Sequence, residues 1–189
     1  MESWFSNLRD YFPAKEMKSE KHMKELFAEK PNSYKLDEGP HYTLVYYEKS
    51  DFLFIDYILV NSSSRGSGLG SKIIDRVKKK NKMIVLEVDP ISQEDPETAK
   101  RVRFYQKQNF KKVPSIEYVR RHPITGERSE MDIFYWSPNA ESAEWVMEKM
   151  KEAYEEVHAF KGLEMYGAPP QVADEVLQLR EAKQSSKAE

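Results

Sequence analysis

Residues 58–74 read ILVNSSSRGSGLGSKII: an apolar run, a short loop holding Gly66, Gly68 and Gly70, and then Ile73 and Ile74 beside basic residues. The 189-residue chain has only 7 glycines, so scarce backbone freedom is concentrated in this loop. Glycines there admit positive φ and let a ligand approach the backbone. A strand that leaves such a loop as a helix also presents unpaired N–H groups at the helix N-terminus. With the helix dipole these form an anion site suited to phosphate, and the segment reads as a pyrophosphate cradle.

The flanking segments set the fold. Residues 41–48 (HYTLVYYE) and 52–60 (FLFIDYILV) are aromatic and β-branched and are separated by Lys49-Ser50-Asp51, which predicts a hairpin. After the loop, residues 71–80 place Ile73, Ile74 and Val77 on one helical side, and residues 83–88 (MIVLEV) form a short apolar run. Strand, helix and strand in that order imply a parallel crossover and a mixed sheet covered on both faces. Helical spacing of Ala99, Val102 and Tyr105 predicts a helix over 97–108, and residues 110–120 and 131–136 a closing hairpin with Pro123 and Gly126 in its turn.

Upstream, Trp4, Phe5, Leu8, Tyr11 and Phe12, then Met17, Met23, Leu26 and Phe27, predict two short helices within 3–30 that pack by one face. Downstream, Ser137-Pro138 reads as a helix start, and Val146, Met150, Ala153, Val157 and Phe160 predict one long amphipathic helix stopped by Gly162. A second helix is expected from Pro170 to about Lys183 through Val172, Val176 and Leu179. The expected organisation is therefore a domain over 1–137, a C-terminal helical extension over 138–184 and a disordered tail over 185–189. The extension is expected to pack on its own domain, with self-association into a homodimer as the alternative.

Lys plus Arg number 30 and Asp plus Glu 32, a net charge of −2, which gives no global attraction to nucleic acid or to an anionic membrane. The absence of Cys excludes a disulfide framework, a thiolate metal site and a Cys nucleophile. With no leader-like or membrane-spanning apolar run, the expectation is a cytoplasmic protein. His22, His41, His122 and His158 are scattered without ligand spacing, so no metal is expected.

Spacing discriminates among phosphate loops. A P-loop needs Gly directly before Lys-Ser or Lys-Thr, whereas here Ser71 precedes Lys72 and Ile73 follows it, which rejects an NTPase. A dinucleotide fingerprint would use Gly66, Gly68 and Ser71 with Glu87 downstream, but the loop follows an antiparallel hairpin rather than opening the chain; that reading is kept as a remote alternative.

Arg65-x-x-Gly68-x-Gly70 after Leu59-Val60 resembles the acetyl-CoA pyrophosphate motif (Q/R-x-x-G-x-G/A) of the GNAT superfamily of N-acetyltransferases. Leu86-Glu87-Val88 resembles that family's fifth strand, and Phe104-Tyr105 with Phe110 resembles its Tyr-bearing helix motif. The match spans about residues 41–136. It departs from the pattern at Asn109, where Gly usually precedes the Phe, and at Thr98, where Asn is common. The loop after Val88 is also longer than usual, and no stretch is identified as the family's first strand. The resemblance implies an α/β (α+β) fold: a mixed, mostly antiparallel twisted sheet flanked by helices. It also implies acetyl transfer from acetyl-CoA to a primary amine, small-molecule or peptide, by direct attack in a ternary complex. A CoA-binding module without catalysis is the alternative.

On that resemblance, the backbone of Arg65, Gly66, Ser67, Gly68, Leu69, Gly70 and Ser71 would hold the pyrophosphate, and an N–H at Leu59 or Val60 would meet the oxyanion. Glu87 interrupts an apolar strand near its carboxyl end. Burial would raise its pKa toward that of a general base, the role the resemblance also implies; the alternative is a salt-bridged carboxylate. Asp56 is the rival base, placed by period-2 alternation with Phe54, Ile58 and Val60, or else a buried carboxylate paired with Lys or Arg. Tyr105 is either a core aromatic or, as the resemblance implies, the proton donor to the leaving thiolate. Six basic residues against one acidic from Lys72 to Lys82 read as a solvated helix end that could also steer a polyanion.

Overall fold

The computed structural model describes residues 3–180, so the tail expected at 185–189 lies outside the described residues. Two helices, α1 (Ser3–Tyr11) and α2 (Glu20–Glu29), lead into β1 (Tyr34–Gly39), β2 (Tyr42–Glu48) and β3 (Phe52–Val60). The crossover helix α3 (Leu69–Lys78) leads to β4 (Met83–Val88), and α4 (Pro96–Lys107) to β5 (Lys111–Lys112), β6 (Ile116–Arg121) and β7 (Arg128–Trp136). The chain closes with α5 (Ala143–Ala153), α6 (Gly162–Tyr166), α7 (Ala173–Val176) and β8 (Leu177–Leu179).

The strands form one sheet in the order β1-β2-β3-β4-β7-β6-β8, with β5 pairing to β7. β3 and β4 are its parallel pair and the other neighbours are antiparallel, the mixed architecture expected from the crossover. On one face α1, α2 and α5 bury Leu8, Met23, Leu26, Val146 and Met150 against Val45, Phe54 and Ile133. On the other, α3 and α4 bury Ile73, Ile74 and Val102 against Leu44, Ile84 and Phe134. Each such fully buried aliphatic side chain stabilises by roughly 1.5–3 kcal/mol.

Three expectations are corrected and one strand is added. β1, with the mixed sequence YKLDEG, was not assigned; it is an edge strand whose side chains are mostly half-buried, so no alternation marks it. The start at Ser137-Pro138 gives way to Ser142, whose hydroxyl accepts the Trp145 N–H at 3.2 Å and caps α5. The single long helix to Gly162 ends its α-helical part at Ala153, passes through a π turn at Tyr154–His158 and reverses at Lys161 (φ +49°). The helix expected from Pro170 becomes one turn, α7, followed by β8, because Leu177 and Leu179 pair with Tyr118 and Ile116 and cover the otherwise open edge of β6. The spacing of Val176 and Leu179 fits a helix as well as this turn and strand, and only the open edge decides. The apolar stripe of α5 is covered by the sheet of its own chain, in agreement with packing on its own domain.

β3 also departs from simple alternation. Its register to β2 shifts between Val45 and Tyr46, which pair with Tyr57 and Ile55 and leave Asp56 as the extra residue of a bulge. Phe54, Tyr57 and Leu59 therefore face one core, while Ile55, Ile58 and Val60 face the other. The expected grouping of Asp56 with Ile58 and Val60 is overturned by this single inserted residue.

Candidate functional site

The bulge builds the site. The parallel ladder runs from Phe52 opposite Met83 to Ile55 opposite Leu86 and stops there. Beyond it β3 stays with β2, while Glu87 and Val88 stay with Ile133 and Asp132 of β7, so the two strands part. A cleft of about 530 Å³ opens between them and is continued by the glycine loop, α4 and the α1–α2 connector. The Asn61 N–H reaches His41 across the hairpin at 2.9 Å, so by alternation the Val60 N–H points away from β2 and into the cleft. Of the two expected oxyanion donors, Val60 is thus the one aimed at the opening.

At the mouth, Gly66 and Gly68 take φ of +81° and +80°, and Gly68 caps α3 from the left-handed region. A Cβ on either would meet nothing within 4 Å, whereas one on Gly70 would stand 3.2 Å from the Phe104 ring. The Arg65 and Ser67 N–H groups are taken by the Ser62 and Ser64 carbonyls, which removes two of the amides expected in the cradle. The N–H groups of Gly66, Gly68, Leu69, Gly70 and Ser71 have no partner among the described residues. The Arg65 side chain folds back, donating through Nε to the Val60 carbonyl at 3.3 Å and lying over the Tyr11 ring. Ser71 Oγ accepts from Gln108 at 2.8 Å, tying α3 to the end of α4.

Tyr105 lies on the cleft side of α4, buried between Phe104 and Phe110, and burial pushes its phenol well above the ordinary value. Its phenol is therefore neutral at pH 7 and able to donate a hydrogen bond. Asn109, in place of the usual Gly, takes the left-handed conformation (φ +60°) in which Asn is tolerated, so the turn into Phe110 survives the exchange. The Thr98 hydroxyl is committed to the loop before α4, donating to the Asp95 carbonyl at 2.6 Å and accepting from the Ser92 N–H at 2.9 Å.

Charged groups cluster at the far end. Asp56 is ion-paired with Lys18 at 2.7 Å, with side chains 2% and 6% exposed, and it accepts from the Tyr34 hydroxyl at 2.6 Å. Glu87 accepts from the Tyr118 hydroxyl at 2.8 Å and from His158 Nε2–H at 2.7 Å, and its other oxygen lies 3.6 Å from Arg120. Burial opposes its charge, but His158, Arg120 and Tyr118 outweigh burial and hold the carboxyl well below the usual carboxylate range. This corrects the expectation of a raised pKa at Glu87. The salt-bridged alternative describes both acidic candidates.

Two groups at this end escaped the sequence reading. His158 projects from the π turn after α5, where burial and the Lys18 charge lower its pKa to about 4. Neutral at pH 7, it presents Nδ1 to Arg120 at 3.2 Å and Nε2–H to Glu87. Glu16, in the α1–α2 connector, is half-buried and lines the cleft; burial and the nearby Asp89 carboxylate push its pKa up to about 7 against Arg101, Lys15 and Arg120. Neither belongs to a motif, and chain distance from the loop hides both. The basic run serves structure: Lys80 and Lys82 pair with Glu48, and Lys78 donates to the Gln108 carbonyl.

No family model matches the chain. The chain is 46% identical over 177 residues to "Putative acetyltransferase YjbC" of Bacillus subtilis (strain 168), covering 94% of this chain and 92% of that protein. It is also similar to the solved structure of "Putative acetyltransferase from GNAT family from Bacteroides thetaiotaomicron", with a TM-score of 0.61 and 18% identity over 86% of this chain and 89% of that one. A solved aminoglycoside 6'-N-acetyltransferase complexed with coenzyme A gives a TM-score of 0.51 and 12% identity over 74% of this chain and 91% of that one.

Proposed function

The chain belongs to the GNAT superfamily of acetyltransferases, and from that premise we propose that it binds acetyl-CoA in the β3–β4 cleft and passes the acetyl group directly to a primary amine. The observation that carries the reading is the set of N–H groups of Gly66 and of Gly68 to Ser71, which have no partner among the described residues, at the mouth of the cleft. That set fits a pyrophosphate: the dipole of α3 adds to it, and the positive-φ glycines leave the approach clear of side chains. The alternative of a dinucleotide site lacks the opening βαβ unit it requires.

In this reading the Val60 N–H faces the acetyl carbonyl and stabilises the oxyanion as the amine attacks; removing a comparable donor elsewhere costs roughly 10²–10³ in rate. Tyr105 donates a hydrogen bond to the sulfur as the C–S bond breaks. Glu87, held below the usual carboxylate range, is a poor base while paired with Arg120, and Asp56 is occupied by its ion pair with Lys18; their part is to hold the floor of the cleft in place. Without Cys in the chain, a ternary complex without a thioester acyl-enzyme is the direct route.

Thiol release from acetyl-CoA across a panel of small amines and peptides with free N-termini tests the proposal. Intersecting initial-velocity lines are expected, together with a raised melting temperature in acetyl-CoA. No thermal shift, or parallel lines with an acetylated protein by mass, would sink it.

A further inference from the structure

Among the described residues, five acidic side chains line the cleft: Glu16, Asp56, Glu87, Asp89 and Glu97. Four have a cationic partner, namely Lys18 for Asp56, Arg120 for Glu87, Arg101 for Asp89 and Lys100 for Glu97. Glu16 is the exception: no hydrogen bond or ion pair of its carboxylate is found among the described residues. Its backbone is nonetheless fixed. The Glu16 carbonyl accepts from the Tyr57 hydroxyl at 3.0 Å, and the same hydroxyl accepts the Lys18 N–H at 3.0 Å. The Met17 carbonyl accepts from His122 Nε2 at 3.2 Å, and the Lys18 ammonium is locked to Asp56. The connector is thus fastened to β3 and to the end of the β6–β7 hairpin, with Glu16 between the fastenings. Arg120 Nε, buried without a hydrogen-bond partner, is a second unsatisfied group at this end. A half-buried, rigidly placed carboxylate without a partner costs free energy that a cationic ligand would offset.

We propose that Glu16 is the catalytic carboxylate on the acceptor side, pairing with the ammonium of the incoming amine and taking its proton before acetyl transfer. The proposal rests on the acetyl-transfer reading above and adds that the acceptor enters as a cation beside the α1–α2 connector. One ammonium proton passes to the Glu16 carboxylate. The freed nitrogen lone pair attacks the thioester carbon, the C–S bond breaks, and a second nitrogen proton goes to the departing thiolate as the amide forms. Glu16 then returns its proton to water. Its pKa of about 7, set by burial and Asp89 against Arg101, Lys15 and Arg120, suits this exchange better than an ordinary carboxylate near 4.3 would.

The test compares wild type with Glu16→Gln and Glu16→Asp, using spermidine, lysine methyl ester and a peptide with a free N-terminus as acceptors. Glu16→Gln is expected to keep the wild-type thermal shift in acetyl-CoA while thiol release falls about 10²-fold, as for loss of a general base. Its kcat/KM should also lose the rise through about pH 7 that Glu16→Asp retains in part. A Glu16→Gln rate within about threefold of wild type, with the rise intact, would overturn the assignment. A second arm needs no turnover: ¹³C-carboxyl NMR titration of glutamate-labelled protein, with Glu16→Gln to identify the signal. Titration near 7, shifted by spermidine when CoA is present, supports the proposal, and an ordinary titration that spermidine leaves unmoved overturns it. Failure of wild type to bind acetyl-CoA would strike at the proposed function, whereas normal binding with a Glu16 signal that spermidine leaves unmoved would strike at the Glu16 assignment alone.

Discussion

Replacing Asp56 by Asn separates a structural carboxylate from a catalytic one. The substitution keeps an acceptor for the Tyr34 hydroxyl but removes the charge that faces Lys18, whose side chain is 6% exposed. Breaking a buried ion pair by removing one partner costs about 3–5 kcal/mol. A second route bounds the loss. Lys18 can escape by deprotonating, which at pH 7 costs about 4.6 kcal/mol for a group whose unperturbed pKa is about 10.4. The expected destabilisation is therefore about 3–4.5 kcal/mol, or a melting temperature lower by roughly 6–18 °C for a chain of this size. A neutral Lys18 in the folded variant and a charged one in the unfolded chain mean that the unfolded state binds more protons. Stability of the variant should then rise by up to about 1.4 kcal/mol per pH unit above neutrality. Urea unfolding at several pH values measures both. Lys18→Met combined with Asp56→Asn should recover at least about 2 kcal/mol of the sum of the single losses. An Asp56→Asn protein within about 1 kcal/mol of wild type and without the pH slope would refute the pairing argument and return Asp56 to candidacy as a base.

His22 and His158 are buried, with pKa values lowered by burial to about 3 and about 4, so the unfolded chain binds their protons first as pH falls. Stability should therefore climb with pH from about 4 to about 6.5, and equilibrium unfolding of His158→Gln should show a shallower climb, as the linkage slope requires. Gly68→Val forces a β-branched side chain into the left-handed region and toward the cradle; a stability loss of about 1–2 kcal/mol and a loss of acetyl-CoA binding by calorimetry are expected. Unchanged affinity would count against the cradle. Leu177→Ala, at a fully buried position of β8, should cost about 2–5 kcal/mol in urea unfolding, whereas a loss below 1 would mean that the C-terminal strand is dispensable to the sheet.

Local chemistry made the loop, the hairpin, the crossover and α4 legible. Gly66 and Gly68 are needed because positive φ is cheap only for glycine, and continuous apolar runs such as MIVLEV read as strands buried on both faces. Those features made the family legible from the sequence alone, and with it the expectation of a phosphate-holding loop. What the sequence could not show depends on groups far apart in the chain. A single bulged residue, Asp56, turns the end of β3 and parts it from β4, and no propensity records such an insertion. The basicity of Glu87 is set by Arg120 and by His158, 71 residues away, while Glu16 is isolated by the way its neighbours are fastened to Tyr57 and His122. Likewise Leu177 and Leu179 form a strand because β6 leaves an edge to be covered. Backbone freedom and side-chain periodicity are properties of neighbouring residues and survive reading in one dimension. Charge pairing, desolvation and edge closure are properties of the folded neighbourhood, and tertiary structure alone decides them.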